Sequence, residues 1–114
     1  MTISEIVSLI QGEILCGEAC LEQTQRYAFA SDLMSDVLTV KTDNFMLITG
    51  LANIQSIRTA EMSDVKCVLL VRGKEATEHM IELAKESGMI LMRTPFSMFK
   101  TSGILFAAGL SPVY

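Results

Sequence analysis

Asp32 and Asp36 stand four residues apart in "RYAFASDLMSDVL", Arg26 to Leu38, a spacing that places both carboxylates on one face of a helix, close enough to share a cation. No third acidic ligand lies nearby. The better reading is the start of a helix, with Ser31 or Asp32 as the cap, where a side-chain oxygen accepting first-turn N–H groups is worth about 1 kcal/mol, and Asp36 solvated. The other residues with chemical potential gather in short segments that each follow an apolar run. These segments are Ser31-Asp32; Thr49-Gly50-Leu51-Ala52-Asn53; Arg72-Gly73-Lys74; and Arg93-Thr94-Pro95-Phe96. Together they offer two arginines, a lysine, hydroxyls and two glycines over which backbone can approach a ligand. Such a set suits a small anion, for example a nucleotide phosphate or a phosphorylated metabolite. The candidate ligand-binding residues are therefore Ser31, Asp32, Thr49, Gly50, Asn53, Arg72, Gly73, Lys74 and Thr94. Each also has an ordinary reading: glycine turns a chain, Asn53 caps a helix, and loop Arg or Lys is solvated.

Other constellations are weaker. "RGKEAT" holds Gly73-Lys74, but a phosphate-binding Walker loop needs a glycine five residues before Gly73 and a Ser or Thr after the lysine. Val68 and Glu75 occupy those places, which excludes a P-loop NTPase. His79, the single histidine, has no serine, cysteine or acidic partner at fixed spacing and reads as a surface residue. Cys16, Cys20 and Cys67 form no recurring zinc or iron–sulfur spacing, and an odd number argues against a disulfide framework. No metal and no cofactor is implied. An enzyme remains the alternative, with Asp32, Arg72 and Thr94 acting around one crevice.

The elements that must position these loops follow from hydrophobic periodicity. Tyr27 to Ala30, Phe45 to Thr49, Cys67 to Val71 and Met89 to Met92 are short, continuous apolar runs. Between them lie helix-like segments: Leu33 to Leu38, Asn53 to Met62, and Glu75 to Ser87 before the stop signal Gly88. Thr2-x-x-Glu5 is a capping box opening a short first helix that ends near Gly12, and Glu13 to Cys16 is a further short strand. Continuous apolar strands alternating with helices predict a three-layer α/β/α fold with a mostly parallel central sheet built from βα units, because one-sided burial would leave period-two alternation. In such a sheet the named loops share one edge, where ligands bind. In the helix beginning at Asn53, Glu61 falls on the apolar line of Ile54 and Ile57; it either pairs with Arg58, its nearest candidate partner, or, as the better reading, snorkels to solvent at the helix end. The last helix carries two apolar lines, Phe99-Gly103-Phe106-Leu110 and Met98-Leu105, so it is buried on two sides, against the first helix or against a second subunit.

Composition bounds the rest. With 114 residues, half of them hydrophobic, the chain can bury one sizeable core, and residues 1–114 read as a single domain. The apolar stretch Ile104 to Leu110 is far short of the roughly 20 residues that cross a bilayer, and the N-terminus lacks a signal-like pattern, so a cytoplasmic location without membrane contact is expected. A net charge of −4 without a basic cluster argues against nucleic acid. The eight methionines mostly fall in or beside periodic apolar segments and read as core filler.

The order "YAFASDLMSDVL", "LITGLANIQSIRTAEM", then "CVLLVRGKEATEHMIELAKESGMILMRTPFSMFKTSGILFAAGL" resembles the DRTGG-domain family from about residue 27 to residue 110. That family is similar to the N-terminal domain of HPr kinase/phosphorylase, and its domains also occur beside CBS modules and in some phosphotransacetylases. The resemblance implies a compact α/β/α domain that serves as a regulatory or dimerising attachment. The signature itself is degenerate: Leu51-Ala52-Asn53 stands where Asp-Arg would follow Gly50, and Val71-Arg72-Gly73 where Thr-Gly-Gly would fall. Only Gly50 and Gly73 match. The short stand-alone branch it resembles implies association with iron-only hydrogenase and related redox systems. The expectation is a non-catalytic regulatory or assembly module and a homo-oligomer, in the simplest case a dimer. It would bind a small anionic ligand at the strand-end loops or act as a scaffold for a protein partner.

Overall fold

The computed structural model describes residues 1–42 and 44–114. The chain runs through α1 (Ile3–Leu9), β1 (Glu13–Cys16), a 3-10 turn (Glu18–Cys20), β2 (Tyr27–Ala30) and α2 (Met34–Val37). It continues with β3 (Phe45–Thr49), α3 (Ile54–Met62), β4 (Cys67–Leu70), α4 (Glu78–Glu86), β5 (Ile90–Arg93), α5 (Met98–Ala107) and β6 (Ser111–Pro112). One sheet in the order β1-β5-β4-β3-β2-β6 holds all the strands. Every pairing is parallel except β1 with β5. The four longer parallel strands coincide with the apolar runs to within one residue. β3 and β4 are buried at every position, as expected of strands covered on both faces.

The strand order explains the layers. From β2 to β5 the chain steps one strand at a time, with α2, α3 and α4 packed over Phe45, Leu47, Val68, Leu70 and Leu91. The chain then turns back through α5 on the opposite face to place β6 beside β2. A reversal of direction with a change of face preserves the right-handed crossover. On that second face Ile3, Ile6 and Ile10 of α1 join Leu105 and Leu110 over Met46, Ile48, Leu69, Val71 and Met92. Side-chain oxygens mark the helix starts: Thr2 in a capping box with Glu5, Asn53 for α3, Thr77 for α4 and Ser97 for α5.

Three details differ from the sequence reading. The helix α2 starts at Leu33 with no side-chain cap, so neither Ser31 nor Asp32 caps it; the Ser31 hydroxyl instead accepts the Leu33 N–H at 3.0 Å. Glu61 departs only from the ion-pair alternative: it is exposed at the helix end, as its better reading has it, and accepts a hydrogen bond from the Ser87 hydroxyl at the end of α4. Among the methionines read as core filler, Met34, Met46, Met80, Met89 and Met92 are buried, whereas Met62 is exposed.

Candidate functional site

The loops after β2, β3, β4 and β5 leave from the same edge of the sheet because those strands are parallel. There the Asp32 carboxylate reaches across to the end of β3. Its Oδ1 accepts the Gly50 N–H at 2.6 Å and the Thr49 hydroxyl at 3.2 Å. Its Oδ2 faces Arg72 Nη2 at 3.6 Å, and the same guanidinium donates to the Gly50 carbonyl at 3.2 Å. Gly50 and Thr49 are buried, so the Gly50 N–H is a donor that cannot turn to water. Asp32 and Arg72 are each about half exposed, at 48% and 51% of their side chains. A Cβ at position 50 would stand where the Arg72 guanidinium now lies, so a larger residue there would displace that half-exposed side chain from the Gly50 carbonyl.

Arg72 itself adopts the left-handed conformation, φ 65°, followed by Gly73 at φ 66°. For a non-glycine residue this costs about 1 kcal/mol or more, and it is held here by backbone bonds. The Arg72 N–H donates to the Phe96 carbonyl at 2.8 Å and the Gly73 N–H to the Thr94 carbonyl at 2.9 Å. These bonds tie the loop after β4 to the loop after β5.

Adjacent strands β4 and β5 send their chains to opposite faces, which makes this the place where an open α/β sheet usually offers a crevice. A cavity of about 290 Å³ lies there, lined by Gln11, Glu13, Gly73, Glu75, Arg93, Thr94 and Pro95. Arg93 Nε bonds Glu13 at 2.9 Å, and Nη1 approaches Glu75 at 3.6 Å. Glu13 and Glu75 were not among the expected site residues. Glu13 meets Arg93 only through the antiparallel pairing of β1 with β5, a contact across 80 residues of chain with no local signal.

Asp32, Thr49, Gly50 and Arg72 thus come together, with Ser31 beside them and Gly73 one residue on. Two expected residues serve other ends. Thr94 is fully buried, donating its hydroxyl to the Ile10 carbonyl at 2.6 Å and accepting the Phe96 N–H at 3.2 Å. Its hydroxyl thus ties the end of α1 to β5, while the residue also lines the cavity at that edge. Asn53 is spent on the Ser56 N–H as the cap of α3. Lys74 is exposed and makes no ion pair among the described residues. The described residues also contain no cluster of three or more His, Cys, Asp or Glu able to hold a metal.

A second candidate surface lies on the far side of the sheet. A cavity of about 480 Å³ runs between α5 and the β2–β6 edge, floored by Ala28, Ile48 and Leu105 and walled by Phe99, Phe106 and Tyr114. The walls are unusually bare, with Phe99 90%, Phe106 67% and Tyr114 88% exposed. Gly103 lies between the two phenylalanines, and a Cβ added there would meet nothing within 4 Å. Of the two apolar lines read in this helix, Leu105 packs inward toward α1, whereas Phe99, Gly103 and Phe106 face outward. No helix is long and apolar enough to cross a membrane among the described residues.

No curated protein matches the chain. Among solved structures, it is similar to the CBS and DRTGG domains of the regulatory region of Clostridium perfringens pyrophosphatase, complexed with an activator, diadenosine tetraphosphate. The TM-score is 0.74 at 15% identity over 98% of this chain and 48% of that one, so the likeness is one of fold and this chain spans about half the length of its neighbour. The family model described as the DRTGG domain matches residues 5–108, and the chain belongs to that family.

Proposed function

We propose that residues 1–114 act as one non-catalytic regulatory or assembly module that pairs with a second copy of itself through the α5 face. The observation that carries this reading is the exposed Phe99–Gly103–Phe106 line beside a 480 Å³ apolar groove. Ring and groove lie on one surface, so two copies related by a two-fold axis can each place a ring in the other's groove, as a self-complementary interface requires. Gly103 between them leaves room for two helices to cross closely. Burying a phenylalanine side chain is worth about 2–3 kcal/mol, and four rings meet at such an interface. The chemistry on the opposite edge favours no reaction: Thr94 is enclosed, and both arginines of the strand-end loops face internal carboxylates.

Sedimentation equilibrium of the wild type and of Phe106→Asp tests this directly. A dimer in the low micromolar range that dissociates in the variant is the expected result. A strict monomer for the wild type at high micromolar concentration contradicts it.

A second reading adds a ligand. The convergence of the Gly50 N–H, the Thr49 hydroxyl and the Arg72 guanidinium favours a small anionic group, such as the phosphate of a nucleotide or metabolite, at the strand-end edge. The activator bound to the regulatory region of the pyrophosphatase supports a regulatory role of this type. A protein partner from a redox system, implied by the family resemblance, would bind the assembled dimer rather than replace it.

A further inference from the structure

We infer that the strand-end edge is an anion site already filled by the protein's own Asp32 carboxylate, so that a phosphoryl group enters only by displacing Asp32. This rests on the second reading above and adds its regulation. The three groups that would hold an outside anion are the same three that Asp32 engages: the Gly50 N–H at 2.6 Å, the Thr49 hydroxyl at 3.2 Å and Arg72 at 3.6 Å. They come from the ends of two different strands, and Asp32 reaches them from the end of a third. The Gly50 N–H is buried and donates to Asp32, so an anion is built into the resting state. A carboxylate on a short tether acts at an effective concentration of about millimolar or more, which free phosphate cannot match without further contacts. Asp32 itself is half exposed and follows directly on β2, before the short helix α2. Its carboxylate can therefore swing outward without opening the core.

The test is chemical rescue. Asp32→Ser vacates the site, whereas Asp32→Asn fills it with a neutral acceptor that still receives the Gly50 N–H. Thermal unfolding is followed with inorganic phosphate and, in a separate arm, with ATP, each against sodium chloride of equal ionic strength. Phosphate should raise the melting temperature of Asp32→Ser and act at least about tenfold more weakly on the wild type. Adding Arg72→Gln to Asp32→Ser should abolish the gain, and Asp32→Asn should respond less than Asp32→Ser. A greater response to ATP than to inorganic phosphate identifies a nucleotide as the source of the phosphoryl group. If Asp32→Ser folds only when phosphate is present, the inference is equally supported; if phosphate does not restore it, the inference falls. A wild type that responds as strongly as Asp32→Ser overturns the gating and leaves the ligand reading standing. Absence of any response in both proteins overturns the two together.

Discussion

The two exposed regions of this molecule are opposites in how they treat their own groups. At the strand-end edge each arginine of the loops has an internal counter-charge, Asp32 for Arg72 and Glu13 with Glu75 for Arg93, and the buried Gly50 N–H has its acceptor. On the α5 face three aromatic rings stand in solvent around an apolar groove. Polar groups at a surface can be matched within one chain by a few short contacts. An apolar face can be matched only by area, which a chain of this size has not supplied here. A surface left unmatched is where a partner adds most free energy, which is why the α5 face is the better candidate for assembly and the polar edge for control.

The contrast can be broken most sharply on the apolar side. Phe99→Asp and Phe106→Asp should each weaken self-association by at least about 30-fold while leaving the monomer folded, as read by sedimentation and circular dichroism. A large loss of monomer stability instead would mean that the rings support the core. On the polar side Gly50→Ala pushes aside the mobile, half-exposed Arg72 guanidinium and should destabilise the fold by no more than about 1 kcal/mol in urea titrations. Arg72→Ala in the same chain should recover part of that loss, and strictly additive effects would contradict the steric argument. A smaller effect is expected for Arg93→Ala. Its partners are exposed glutamates, so the loss of stability should be smaller than that of Gly50→Ala and shrink as salt is added.

The thiols provide a control that belongs to neither region. Burial pushes the Cys16 and Cys67 thiols above the ordinary value of 9.0. A folded-state value raised in this way favours the protonated thiol in the fold. The associated stability is complete below about 9 and declines as pH rises beyond it. The difference in urea midpoint between the wild type and Cys16→Ala/Cys67→Ala should therefore narrow between pH 8 and pH 10.5. Cys20, partly exposed, should be the thiol alkylated first in the native protein.

How far the sequence reveals this depends on the range of the contacts. The runs FMLIT, CVLL and ILMR announce buried parallel strands because both faces are covered, and a continuous apolar run is the direct trace of that burial, whereas YAFA, beside the open groove, is only partly buried. The two apolar lines of the last helix are legible only in part: Leu105 and Leu110, one from each line, join the core with α1, whereas Phe99 and Phe106, expected to be buried, stand exposed. The role of Asp32 is not legible locally. Ser-Asp before a helix looks like a cap, but the carboxylate turns to a backbone N–H 18 residues away, a choice set by the register of β2 against β3. The hydroxyl contact of Thr94 is illegible for the same reason, since its acceptor is the carbonyl of Ile10 across 84 residues. The edge strand β6 leaves no pattern at all, being two residues long with Pro112 as one of them.

The central claim is that the bare α5 face is covered by its own copy. Cysteines placed singly at Gly103 and at Lys74, in a Cys20→Ser background, test it most directly. A disulfide needs Cα atoms within about 7 Å, so only residues that meet across a two-fold axis can form one quickly. The account predicts rapid oxidation to a covalent dimer for Gly103→Cys and none above background for Lys74→Cys. Equal rates at the two positions, or faster linkage at Lys74, would contradict it.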